Sequence, residues 1–189
     1  MVCELKILLA SSSQRRIDLM GELGHDFEVV IPDAVEDKDC RDPVERVEGN
    51  ALRKARSIEG RPGHIIVGAD TVVFHEGEIL GKPDGAVEAT AMLRKLSGKP
   101  HKVYTGVSVV NWETGEVVTR HEITTVWFKE LHDETIEGYV GTGEPMDKAG
   151  AYGIQGKGGA LVERIEGSYS NVVGLPLELV RELLKITIE

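Results

Sequence analysis

Cysteine is scarce in this chain of 189 residues. Cys3 and Cys40 stand at no metal-like spacing and read as two free thiols in a reducing compartment. Long apolar runs are missing: nothing approaches the roughly 18 residues of a membrane span, and the opening Met-Val-Cys-Glu-Leu-Lys-Ile-Leu-Leu-Ala has too short an apolar core for a signal peptide. Arg15-Arg16 lacks the apolar segment that should follow a twin-arginine export signal, so the expected location is cytoplasmic. Positive charge is in deficit, with a net charge of −10 that argues against non-specific nucleic-acid binding. A local basic pocket for a small anion remains open to it. Several catalytic signatures are absent too. There is no Walker A pattern, no Gly-x-Gly-x-x-Gly after a strand, no His-x-x-x-His pair and no Gly-x-Ser-x-Gly elbow. No internal repeat and no interdomain linker break the chain, which is long enough for one domain or two tight lobes.

What is present centres on Ile65–Phe74, a β-branched apolar run with one acid in its middle, Asp70. Such a run reads as a strand buried on both faces. A buried carboxylate is costly unless something pairs with it or a metal binds it. Gly68-Ala69 just before it would let another backbone or a ligand approach closely.

Around that strand the spacing predicts an α/β succession. Residues 5–10 form a first strand, and a serine-rich turn at 11–13 caps a helix carrying Ile17, Met20 and Leu23 and ending at Gly24. Read alone, Arg15 and Arg16 are either solvated or part of an anion site at the helix N-terminus. Paired arginines there oppose the helix dipole, so something negative should compensate. A short strand over 27–31 leads to an acidic loop over 32–42, mostly solvated, in which one or two carboxylates could be metal ligands. Asp42 and Glu45 form a capping box for a helix with Val47, Ala51 and Ala55 on one face. Lys54 near its end is either a dipole-friendly charge or a site cation.

A hairpin turn at 75–78, the stiff turn Gly81-Lys82-Pro83 and a helix over 86–96 follow. Residues 103–111 and 116–128 form a long hairpin with one polar face. A short helix ends near Val140, the glycine-rich stretch 141–159 is too long and particular for a simple turn, a strand spans 160–165, residues 167–171 form a polar loop, and a helix over 176–186 closes the chain. Arg15, Arg16, Lys54 and Lys82 recur at element ends, with acids on the Asp70 strand and in the Glu36 loop. Cations and carboxylates meeting at strand ends of an α/β fold are what a nucleotide-phosphate site with a divalent metal needs.

Leu9-Ala10-Ser11-Ser12-Ser13-Gln14-Arg15-Arg16 resembles the Leu-Ala-Ser-x-Ser-x-Arg-Arg opening of the Maf family of nucleoside triphosphate pyrophosphatases. The resemblance continues in order through Asn50-Ala51, Lys54-Ala55, residues 68–73, 81–83, 103–107, 147–156 and 167–176, nearly the whole chain. It implies one domain over 1–189 with an elongated mixed β-sheet, flanking helices and two lobes around a central cleft. It implies hydrolysis between the α and β phosphates, a divalent metal (Mg²⁺, Mn²⁺ or Co²⁺), clearance of non-standard nucleotides with a loose link to cell-division arrest, and pairing as a homodimer. Asp70 matches the family's catalytic acid, its proton acceptor, and with Glu36 its metal ligands. Ser11, Ser13, Arg15, Arg16, Lys54 and Lys82 match its phosphate pocket. Arg15, Thr71 and Gln155 match positions that separate subgroups, and here they look like the dTTP/UTP type, whereas the 7-methyl-GTP type tends to carry an aromatic residue where Arg15 stands. Gln14 replaces the usual proline. The segment 34–42 departs from the family pattern, so Asp33 stands beside Glu36 as a second acid.

Two other readings compete. A nucleotidyltransferase would also place an arginine-bearing loop over phosphates, but would need an acceptor other than water. A non-catalytic nucleotide-binding regulator of cell division would bind without turnover, and it gives a buried carboxylate no purpose.

Overall fold

The computed structural model describes residues 5–188; Cys3 lies outside them. The strands are β1 (Lys6–Ala10), β2 (Phe27–Val30), β3 (His64–His75), β4 (Glu78–Leu80), β5 (Pro100–Asn111), β6 (Val117–Phe128) and β7 (Val162–Glu166). The helices are α1 (Gln14–Gly21), α2 (Pro43–Arg56), α3 (Ala86–Leu96), α4 (Asp133–Val140), α5 (Tyr169–Val173) and α6 (Leu177–Ile188). The strands form one seven-stranded sheet in the order β2-β1-β3-β5-β6-β7, with β4 on β3. β1 pairs in parallel with β2 and β3, while β3–β4 and β6–β7 are antiparallel, so the sheet is mixed. Among the described residues no helix is long and apolar enough to cross a membrane.

Contacts divide the chain into two compact units. The first holds residues 5–70, Thr105–Glu122 and 174–188. Its layout follows from where side chains are missing. Gly68 on β3 has no room for a Cβ, which would lie 2.3 Å from the Ala51 carbonyl oxygen and 2.8 Å from the Ala55 nitrogen. Gly106 on β5 is pressed the same way under Val47. α2 therefore lies with its backbone against the strands, and Ala55 and Ile58 join Leu8, Ala10, Ile66 and Val110 in one apolar cluster. Asp42 starts α2 as its composition predicts, accepting from the Val44 and Glu45 N–H groups at 2.9 Å each, a cap worth about 1 kcal/mol.

The second unit holds Thr71–Tyr104 and Ile123–Val173. β3 turns into β4 through Glu76 and Gly77, both with positive φ (48° and 86°), the backbone of a tight two-residue hairpin. Val73, Leu93, Leu96, Phe128, Ile136 and Leu161 belong to its apolar core. His101, Phe128 and Tyr152 meet edge to face within it.

Several expectations are corrected. α1 ends at Gly21, and Ser13 occupies its N-cap position without a side-chain cap bond; the turn's hydroxyl bond runs instead from the Ser13 N–H to Ser11 Oγ at 3.1 Å. Of the long hairpin only β6 keeps a partly exposed face, and β5 is covered on both sides: Thr105, Ser108 and Thr124 are fully buried. Their hydroxyls are satisfied inside, as where Thr119 donates to Ser108 Oγ at 2.9 Å, and Asn171 to Thr124 Oγ1 at 2.9 Å. Residues 169–173 are helix and not loop, because Ser168 Oγ accepts from the Asn171 N–H and starts the turn.

Candidate active site

The serine turn ends β1 in the first unit. Ser11 is buried, and its N–H donates to the Leu9 and Val30 carbonyls. Ser13 follows, half-buried, and Arg15 and Arg16 occupy the first turn of α1. Arg16 reaches inward: its Nε donates to the Gly174 carbonyl at 2.7 Å and its Nη1 to the Ala69 carbonyl at 3.0 Å. Burial pulls the Arg16 guanidinium below its ordinary value, Asp70 and Glu36 push it back up, and Arg15 adds a like charge. These are the negative groups that an arginine pair at a helix start calls for.

Asp70 ends this unit's part of β3. Lys54 Nζ donates to its Oδ1 at 2.6 Å, with each side chain 10% exposed. The same nitrogen lies 2.8 Å from Glu36 Oε1 and 3.4 Å from the Ala69 carbonyl. Lys54 sits in the basic last turn of α2, where the helix dipole favours a cation, and it is shared there between two acids. Its neighbour one helical turn earlier, Asn50, completes the group. Asn50 Nδ2 donates to Asp70 Oδ2 and to the Asp37 carbonyl, each at 3.2 Å, while its Oδ1 accepts from the Asp37 N–H at 2.7 Å and from Arg53 at 3.0 Å. One buried amide therefore ties the acidic loop to the strand carboxylate. The sequence names Asn50 only within the motif Asn50-Ala51 and gives it no role. The available signal is a polar residue four before Lys54 on the apolar face of α2, a spacing that puts both on one side.

The acidic loop sorts by role. Glu36 joins Lys54. Asp37 Oδ1 accepts from the Asp39 and Cys40 N–H groups, which hold its carboxyl below the usual range and fold the loop on itself. Asp42 caps α2. Asp33, the alternative second acid, is exposed and lines a separate depression with Val35, Arg53 and Arg56. The group in this unit sets three cations (Arg15, Arg16, Lys54) against two carboxylates, a local surplus of positive charge suited to a polyanion. Among the described residues no three His, Cys, Asp or Glu side chains form a set able to hold a metal alone. Two carboxylates instead fit a hard cation that takes the rest of its shell from water and phosphate oxygens.

Three predicted site residues belong to the second unit. Thr71 is half-buried and follows Asp70 on β3; Lys82 and Gln155 are exposed. Two motifs separate in sequence meet here, since Gly150 in the glycine-rich stretch donates its N–H to the Gly81 carbonyl at 3.0 Å. Gly150 has φ 68°, and a Cβ there would press on Val73 at 2.8 Å. Gln155 precedes the 3-10 turn Gly156–Leu161. A cavity of about 700 Å³ in this unit, lined by Phe74, Lys99, Lys102 and Trp127 among others, holds none of the predicted site residues.

Residues 6–187 match the family model described as Maf-like protein. The chain is 49% identical over 182 residues to a dTTP/UTP pyrophosphatase of Dictyoglomus thermophilum, covering 95% of this chain and 94% of that protein. It is 50% identical over 184 residues to one from Moorella thermoacetica (96% and 94% covered), and 48% identical over 180 residues to one from Thermococcus onnurineus (95% and 97%). Among solved structures, a HAM1 protein from Coxiella burnetii shares the fold at TM-score 0.55 and 17% identity, over 96% of this chain and 99% of that one.

Proposed function

Since the chain belongs to the Maf family, we propose that it hydrolyses nucleoside triphosphates of the dTTP and UTP kind, and modified relatives of them, to the monophosphate and pyrophosphate. The setting is the cytoplasm, where such a reaction clears unwanted nucleotides. The observation that carries this reading is the buried Lys54 that joins Asp70 to Glu36. A buried acid with both a cation and an amide on its oxygens is preorganised for chemistry, and binding a polyanion alone would gain nothing from it.

In the proposed mechanism Asp70 accepts the proton of the water that attacks the α-phosphorus in line, and pyrophosphate leaves. Lys54 and Asn50 hold the Asp70 carboxylate in one orientation, so little rearrangement accompanies the proton transfer. Arg15, Arg16, Lys54 and Lys82 bind the phosphate oxygens, and Ser11 and Ser13 shape the turn that presents the start of α1. Catalysis in such a site is mostly positioning and charge stabilisation. Asp70 and Glu36 are the residues that would hold Mg²⁺, Mn²⁺ or Co²⁺. When bound, a divalent cation neutralises phosphate charge and polarises the bond that breaks. Thr71 and Gln155 read the base edge, with Arg15 on the same selective set.

The test is a panel of natural and modified triphosphates with each of the three metals, assayed for pyrophosphate and for orthophosphate. Pyrophosphate release from UTP and dTTP, dependent on added metal, is expected. Nucleotide binding without turnover, or orthophosphate as the product, would refute the reading.

A further inference from the structure

The glycine-rich stretch that carries Gln155 has few side chains of its own to hold a shape, and glycine loses more freedom on ordering than any other residue. Its shape comes from a carboxylate and a phenol. The carboxylate of Glu144, at the start of the 3-10 turn Glu144–Asp147, accepts three hydrogen bonds. Tyr139 from α4 donates its hydroxyl to Glu144 Oε1 at 2.9 Å, the Gly158 N–H donates to the same oxygen at 3.0 Å, and the Lys157 N–H donates to Oε2 at 3.1 Å. The Tyr139 hydroxyl in turn accepts from the Gly153 N–H at 3.2 Å. One side-chain pair thus fastens the backbone on both sides of Gln155, at residue 153 and at residues 157–158.

The glycines around it are the ones that this fastening requires. A Cβ on Gly158 would lie 2.6 Å from the Tyr139 hydroxyl and 2.3 Å from the Gly153 carbonyl oxygen. On Gly156, which has φ +73°, it would lie 3.0 Å from Glu144 Oε2. Lys148 secures the anchor itself, donating to the Glu144 carbonyl at 2.6 Å and to Asp147 at 2.7 Å. Burial works to raise the Glu144 carboxyl, but the N–H groups of Gly158 and Lys157, the Tyr139 hydroxyl and the charge of Lys148 outweigh it and hold it below the usual range. The group is therefore ionised at neutral pH and accepts only, which is what three donors need.

We propose that the Glu144–Tyr139 pair positions Gln155 and, through it, sets which nucleobase the enzyme accepts. This rests on the reading that Gln155 contacts the base edge. A polar group that discriminates by hydrogen bonding works only while held in place, and a shift on the order of 1 Å loses much of that discrimination. Neither Glu144 nor Tyr139 need touch substrate for this.

The test is kcat/KM for UTP and for CTP, whose bases differ at the 4-position, in wild type, E144Q, Y139F and Q155A. In E144Q one acceptor becomes an NH₂ facing a backbone N–H, so the 153–158 arc should loosen. The UTP-to-CTP ratio is expected to fall roughly tenfold in E144Q, and in the same direction in Y139F. A merely structural role would lower both substrates equally and leave the ratio where it was. If E144Q does not fold, Y139F carries the test alone, since it removes only the phenol's two hydrogen bonds. An unchanged ratio in the folded variants while Q155A alters it would overturn the positioning role. An unchanged ratio in Q155A would overturn the base-reading premise and the inference with it.

Discussion

Lys54 Nζ lies 2.6 Å from Asp70 Oδ1, in a pair of side chains each 10% exposed. Buried ion pairs contribute little net stability against an apolar pair, but breaking one by removing a single partner costs about 3–5 kcal/mol. K54M should therefore destabilise the protein by roughly that amount in urea unfolding, because it takes away the cation bonded to the buried Asp70 carboxylate. Adding D70N to K54M should recover part of the loss. A double variant no more stable than K54M would show that the pair is not the source of the cost.

D70N should separate chemistry from folding. The side chain keeps its shape, and Lys54 keeps Glu36 at 2.8 Å, while the proton acceptor is gone. A fall in kcat of about 10²-fold or more is expected, with the circular dichroism of the native protein. Wild-type turnover by D70N would remove Asp70 from its assigned role.

Asn50 is expected to matter to kcat although it is assigned no role in binding phosphate. N50A deletes the amide that joins the Asp37 backbone to the Asp70 carboxylate. Two groups that the loop and the strand present together then lose their common anchor, so kcat should fall while the metal concentration needed for half-maximal rate rises. Unchanged values for both would reduce Asn50 to a packing residue.

Gly68 offers a test through space alone. In G68A the new Cβ would meet backbone atoms of α2 at 2.3 and 2.8 Å. Backbone cannot step aside as a flexible side chain can, so α2 must lift from β3. A loss of about 1–3 kcal/mol is expected from urea midpoints, together with a drop in kcat/KM, since Asn50 and Lys54 ride on the same helix.

Acid should weaken the second unit through His101. Burial pushes this histidine down to about 3, with the charge of His75 adding to the effect; its Nε2 is 2.7 Å from the Tyr152 hydroxyl. The unfolded chain takes up a proton near the ordinary value of 6.5 and the folded one does not. Its contribution is thus complete above about 6.5 and is lost as pH falls toward 3, at roughly 1.4 kcal/mol per pH unit within that window. Urea midpoints measured from pH 7.5 downward should fall in wild type and fall less steeply in H101Q.

The parts legible in the sequence are those whose cause is local. The β-branched run around Asp70, the Asp42 cap of α2 and the helix over 86–96 follow from composition and spacing, and the structure shows each. The company of Asp70 is a different matter. Lys54 stands where a helix dipole alone would favour a cation, and only α2 lying against Gly68 shows that it points at a carboxylate. The hairpin over 103–128 reads as having one polar face because nothing local shows that both faces of β5 are covered. Residues 167–171 read as a loop because Gly167-Ser168 signals a turn, and the same serine starts the helix Tyr169–Val173. Glu144 carries no signal at all in isolation, since its partners are backbone N–H groups thirteen and fourteen residues away.

The most direct measurement follows UTP hydrolysis by phosphorus NMR in ¹⁸O-enriched water with Mg²⁺ present. Attack at the α-phosphorus with departure of pyrophosphate should place the label in the phosphate of UMP and leave pyrophosphate unlabelled. Labelled orthophosphate with UDP, or labelled pyrophosphate with unlabelled UMP, would contradict hydrolysis at that bond and by that route.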